Sequence, residues 1–395
     1  MAGQITALGT TYNLPNYTGI LHALTPADTP FFSAIGGLTG GGQTDSIEFE
    51  WQSYDLRAAG QNVALEGADA PTDENRVRGN VSNIVQIHHE TVGVSYTKLA
   101  ATQAKAGINN AERNTVLNEL DWQVEQMLKQ MVRDVEYSLL RGVYQKPVDN
   151  TTERQTRGLL PAITTNVKDA SNLVGDGAST TTAATDVIAE TAHGLANGDR
   201  VRIDVLTGSA GLTNGSSYYV RDASANDFKV SATVGGSAVN ITTDGTVNVF
   251  KYDDLTEDDV LDLLQMVWEN GGIQESETAT LIANAYQKRR LTDQFITQKN
   301  YQESSRNVGG VRVTTIETDF GTLNIMLDRH MPTDTLVVSS LEMCMPVYQE
   351  IPGKGHFFAE PLARTGAKDR TQLYGEVGLA YGNERTHGKI TGLKA

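Results

Sequence analysis

The chain has one cysteine, Cys344, in 395 residues. A lone thiol cannot close an internal disulfide, so the fold does not depend on an oxidising compartment. Cys344 is expected to act as a small buried apolar side chain rather than as a nucleophile. No run of 18 apolar residues occurs, so no segment is suited to a membrane-spanning helix. The opening MAGQITALGTTYNLPNYTG lacks the basic and apolar stretches of a secretion signal. Synthesis and folding in the cytoplasm are expected. Basic charge is short: 32 Lys and Arg face 48 Asp and Glu, a net charge of −16. Proteins that grip nucleic acid neutralise phosphates with a basic surface, and this balance argues against that task. It suits a surface that must not adhere to nucleic acid.

Recognisable catalytic motifs are missing as well. The glycine-rich stretch Gly36–Gly42 has no Lys-Ser or Lys-Thr after it, so it reads as a hinge rather than a phosphate loop. No G-x-S-x-G nucleophile elbow occurs. His88, His89 and Glu90 are metal-ligand types, but on a strand His88 and His89 point to opposite faces. His88 and Glu90 alone do not make a zinc site. His193 has no second ligand near it in sequence. Glu257, Asp258 and Asp259 fit the first turn of a helix, where acids complement its dipole. We therefore expect no catalytic residue, no metal site and no cofactor.

What the chain does hold is a series of structural elements. Residues 1–44 contain no Lys or Arg and no clear period, yet carry Phe31, Phe32 and Ile35. That pattern predicts an arm (residues 1–45) that is ordered only against something else. Ile47, Phe49 and Trp51 then alternate with Glu48, Glu50 and Gln52, the period of a strand. A second alternating run, about 83–96, follows the polar segment 57–80. The two predict a long ribbon with an elaborate tip, an extended loop over 46–98. An isolated ribbon is marginal in water, so it should lean on another subunit. The expected intersubunit contacts are Phe31, Phe32, Phe49, Trp51, Arg57, Arg76 and Arg78.

Leu117, Leu120, Val124, Met127, Met131 and Val135 recur every three or four residues and predict a helix over 109–141. Asn109 and Glu112 offer a start, Gly142 a stop, and Glu125–Lys129 an i,i+4 ion pair. At 1.5 Å per residue such a helix is about 50 Å long, a structural spine. Composition shifts to Thr, Ser, Gly, Ala and Asn over 165–252. Val201, Ile203 and Val205 alternate there, and Asn214-Gly215, Gly235-Gly236 and Asp244-Gly245 punctuate. This predicts an inserted all-β domain, compatible with a sandwich. A helix capped by Thr256 and closed by Gly271-Gly272 follows, with Val260, Leu263, Leu264 and Val267 inward. Then come a strand at 278–283, a helix at 285–298, and strands at 311–318, 322–327, 335–339 and 372–379. Mixed helices and strands without βαβ repetition make the class α+β with an all-β insert.

Five segments then carry a resemblance. They are TPADTPFFSAIGG near the start, ALEGADAPT at 64–72, VGVSYTKLA at 92–100, TDFGTLNIMLDRHMP at 318–332 and the stretch 360–393. In their order and spacing the chain resembles the major capsid proteins of tailed phages with the HK97-type fold. Among these it is most similar to the major head protein family of elongated-head podophages. The resemblance implies an N-terminal arm, an extended loop, a spine helix with a peripheral domain (99–164), an axial domain (253–345) and peripheral C-terminal strands (346–395). The insert is similar to the immunoglobulin-like modules of phage structural proteins. The resemblance further implies hexamers and pentamers tiling an icosahedral head around double-stranded DNA. Implied partners are a portal protein, a separate scaffolding protein and, on some heads, a decoration or cement protein. The location implied is the virion capsid, assembled in the host bacterial cytoplasm. Some relatives carry a removable leader ahead of the arm, and this chain is expected to lack one. Some relatives also cross-link through an extended-loop lysine, but here the first lysine is Lys98. A shell held by non-covalent contacts is expected. Two other readings stand beside this one: the shell of a genome-free cellular compartment, and a phage tail or decoration protein.

Overall fold

One strand, Lys368–Ala380, organises half of the molecule, because its last residues are apolar or glycine and almost continuously buried. In the computed structural model, which describes residues 28–54, 56–101, 119–273, 279–294, 315–364 and 366–395, both edges of this strand are occupied. Gln86–Ser95 pairs antiparallel along one edge, from Lys368↔Ser95 to Val377↔Gln86. Phe357–Pro361 and Met345–Gln349 share the other edge. Gly42–Thr44 joins Met345–Gln349 in parallel. Gly375 has to be glycine here, since a Cβ would lie 2.3 Å from the ring of Phe357. Of the 83–96 run, residues 86–95 are therefore members of this sheet, and only 83–84 belong to the ribbon. The true return strand is Arg78–Ile84, paired with Glu48–Tyr54.

The spine helix, described over Glu119–Arg141, packs on Gln86–Ser95 and on the long strand. Its stripe buries Met131, Val135, Leu139 and Leu140. Val135, Leu139 and Leu140 join Phe31, Phe32, Leu159, Ile163, Tyr348, Val377 and Leu379 in one core. Each such side chain contributes about 1.5–3 kcal/mol on burial. Lys129 Nζ meets Glu125 Oε1 at 2.7 Å, the expected i,i+4 pair. The expected helix start at Asn109, Glu112 and Leu117 lies outside the described residues, as does most of the arm.

The second sheet runs in the order Thr315–Thr318, Gly321–Leu327, Ala279–Ala283, Leu336–Ser340, Gly388–Thr391, Val167–Asp169. Its two central strands, Ala279–Ala283 and Leu336–Ser340, are buried along their whole length. Helix Glu257–Glu269 covers it with Val260, Leu263, Leu264 and Val267, all fully buried. Thr256 and Asp259 form the reciprocal cap: Thr256 Oγ1 accepts from Asp259 N, and Asp259 Oδ2 from Thr256 N. Gly271 ends the helix at φ +90°, a conformation that favours glycine. The helix expected at 285–298 is described over Ala285–Thr292. The last strand, Gly388–Thr391, belongs to this sheet, whose other strands come mostly from the segment expected to be axial, so the C-terminal segment serves both sheets.

The insert has its own core of Ile188, Val201, Ile203, Val220, Phe228, Val230, Val247 and Val249. Its strands pair antiparallel in the order Asn172–Leu173, Gly245–Lys251, Ser179–Thr182, Val187–Ala189, Asp227–Ser231, Ser216–Arg221, Arg200–Thr207. Arg200–Thr207 also pairs back with Gly245–Lys251, which closes the ring. The module is a small closed barrel, not the expected sandwich. Closure leaves few free strand edges, which a sandwich would expose. The module also starts later than composition suggested: Val167–Asp169 pairs with Gly388–Thr391 in the axial sheet, and barrel pairing begins at Asn172↔Lys251.

Candidate assembly surface

The ribbon's root is pinned to its own subunit. Asn83 is completely buried and uses its whole amide. Its Nδ2 donates to Leu379 O at 2.7 Å and Arg157 O at 3.0 Å. Its Oδ1 accepts from the backbone N–H groups of Arg157 and Ile84, both at 2.9 Å. Trp51 Nε1 donates to Gly382 O at 2.7 Å, and its ring meets Tyr381 edge-on with centroids 4.9 Å apart. Phe49 lies over Gly378, whose absent side chain makes the space. Lys146 pairs with Glu48 at the ribbon's edge. That hydrogen bond holds the Glu48 carboxyl below its ordinary range and raises the Lys146 ammonium above its own.

Beyond Tyr54 and Arg78 the chain leaves the sheet. Residues 56–77 form no strand, and nearly all their surface is open. Val63 is 83% and Leu65 86% exposed, with Leu56 and Val77 similarly bare. Arg57 and Arg76 converge on Glu74, at 3.9 and 3.1 Å, and Arg78 donates to Gln52 Oε1 at 3.2 Å. These exposed pairs add little stability, about 0–1 kcal/mol each. A second bare surface lies at the root. An open cleft of about 1390 Å³ sits between the ribbon, the spine helix and the 143–155 hairpin. Exposed Ile47, Ile87, Tyr137, Val143 and Val148 line it.

The expected contact residues divide accordingly. Phe31 and Phe32 are 0% and 2% exposed and lie in their own subunit's core, so they are not intersubunit contacts. Pro30 starts a short helix that turns both rings inward. Phe49 and Trp51 face their own subunit, because the ribbon folds its apolar face down onto residues 378–382. Arg57, Arg76 and Arg78 remain on the exposed surface. Sequence reasoning missed the bare aliphatics Leu56, Val63, Leu65 and Val77, which have no period to reveal them. It also missed Asn83, which reads as one more polar residue of an alternating run. His88 is buried, and desolvation lowers its imidazole to about 4. Cys344 is buried, and burial pushes its thiol up to about 12, the opposite of an activated nucleophile.

A spine helix across one sheet, a second sheet beside it, and a ribbon projecting from the root define a class. The chain is similar over nearly its whole length to the cyanophage A-1(L) capsid, at TM-score 0.55 and 10% identity, covering 98% of this chain and 99% of that one. The capsid of cyanophage P-SCSP1u gives 0.51 and 10% identity, covering 98% and 94%. The fold is that of an HK97-type capsid shell subunit. The family described as SU10 major capsid protein matches residues 4–394, so the chain belongs to that family. It is a structural protein of a phage capsid, not an enzyme. No curated protein matches it.

Proposed function

We propose that copies of this chain form hexamers and pentamers that close an icosahedral head around double-stranded DNA, with the ribbon tip as the adhesive element between neighbours. The observation that carries this reading is the bare tip. Four large aliphatic side chains stand on a segment with no sheet of its own, and each returns about 25 cal/mol per Å² once a partner covers it. The acidic balance fits a wall that encloses DNA without binding its sequence. The partners follow from that role: a portal protein at one vertex, a separate scaffolding protein during assembly in the host cytoplasm, and on some heads a decoration protein. The test is electron microscopy of nuclease-treated particles from infected cells. Closed heads with protected double-stranded DNA are expected. Closed shells made and kept without a genome would support a cellular compartment instead.

A further inference from the structure

Glu136 of the spine helix is fully buried, and so is Asp328 at the end of the axial strand Gly321–Leu327. The two carboxyls lie close enough to act on each other directly. Two acids in that arrangement hold a proton between them, since like charges so close and so poorly solvated cannot both persist. Glu136 also receives the arm. Its Oε1 accepts from Phe31 N at 2.9 Å and its Oε2 from Phe32 N at 2.6 Å. Asp328 Oδ1 accepts from His330 N at 2.7 Å, and its Oδ2 is buried with no hydrogen-bond partner. One proton therefore sits where the arm's base, the spine helix and the axial sheet meet.

We propose that this shared proton is a latch that fixes the base of the N-terminal arm to the spine helix, and that its loss releases residues 28–35 while the two domains stay folded. The charged groups on the three segments do not replace it. Arg329 turns outward and clamps Asp28 through both carboxylate oxygens, each at 3.0 Å. Asp134 is exposed and takes Gln130. Arg133 donates to Gln130, Arg141 stacks on Tyr137, and His330 contributes its backbone N–H. Asp328 is the charge that bears on Glu136.

The direction with pH follows. Burial first, and Asp328 second, raise the Glu136 carboxyl from 4.5 to about 9. The folded chain thus keeps a proton that the unfolded chain gives up near 4.5, so rising pH draws against the folded arrangement across that window. Near pH 9 the proton leaves to hydroxide as water. Two facing carboxylates remain, and the arm's base is the least costly element to move.

The test uses the full chain with Ser33→Cys carrying a nitroxide; Ser33 is exposed and the native Cys344 is buried, so one site is labelled. The label should be immobile at pH 7 and become several-fold more mobile between pH 8.5 and 10. Asp328→Asn, which removes the facing charge, should abolish that change below pH 10. Glu136→Gln should do the same, provided the subunit folds. No mobilisation of the parent label by pH 10, or an equal mobilisation in Asp328→Asn, would overturn the latch.

Discussion

Asn83→Ala removes the three hydrogen bonds by which this side chain fastens the ribbon to the body, and a fourth to the neighbouring Ile84 N–H. It strands two buried carbonyls, Leu379 O and Arg157 O, and the N–H of Arg157. An orphaned buried polar group costs about 1–3 kcal/mol. Some relief follows as water enters, so the root should weaken by about 3–5 kcal/mol. Asn80→Ala, three residues away, is the internal control. Asn80 is exposed and donates only to Glu50 Oε2 at 3.0 Å, so its loss should stay within about 0.5 kcal/mol. The assay is native-state hydrogen exchange of the amides from Val81 to Val85 in the free subunit, which reads local opening. At about 1.4 kcal/mol per decade, protection should fall about 100- to 4,000-fold in Asn83→Ala. Equal protection in the two variants would refute the claim that this one amide sets the root.

Replacing residues 172–251 by a short Gly-Ser linker should leave a soluble subunit with both sheets formed, because Asn172 and Lys251 are paired neighbours. Circular dichroism and exchange in the axial sheet would check it, and an unfolded product would count against the barrel's independence. The cut also removes Arg200–Asp334 and Arg202–Asp169, the clasps between barrel and axial sheet, at a modest expected loss of thermal midpoint. His88 predicts an acid-side weakness. Its imidazole sits at about 4 in the fold against 6.5 ordinarily, so the unfolded chain binds the extra proton first and stability falls as pH drops from 6.5 to 4. The slope is at most about 1.4 kcal/mol per pH unit, and thermal melts of His88→Leu should be flatter over that range.

What the sequence made legible was what period and punctuation encode. The spine stripe, the Thr256 cap, the Gly271 stop and the i,i+4 pair at Glu125 and Lys129 are local, and the structure has each of them. What it hid was decided at long range. Residues 83–96 alternate well enough for a ribbon, but the partner that takes 86–95 is more than 270 positions away, at 368–377. The barrel and the sandwich share the same strands and turns, and only the pairing of 200–207 with 245–251 separates them. Phe31 and Phe32 look like loose arm residues until Glu136, about a hundred positions on, is seen capping the turn that carries them. Glu136 itself reads as a surface acid on the helix pattern, because nothing local announces Asp328.

A photo-crosslinker placed at Leu65 tests most directly whether the ribbon tip holds neighbours together. Irradiated heads, dissolved and run on a denaturing gel, should give dimers whose crosslinked peptides join residue 65 to a second copy, while free subunits should give none. Crosslinks confined to the same chain in assembled heads would contradict it.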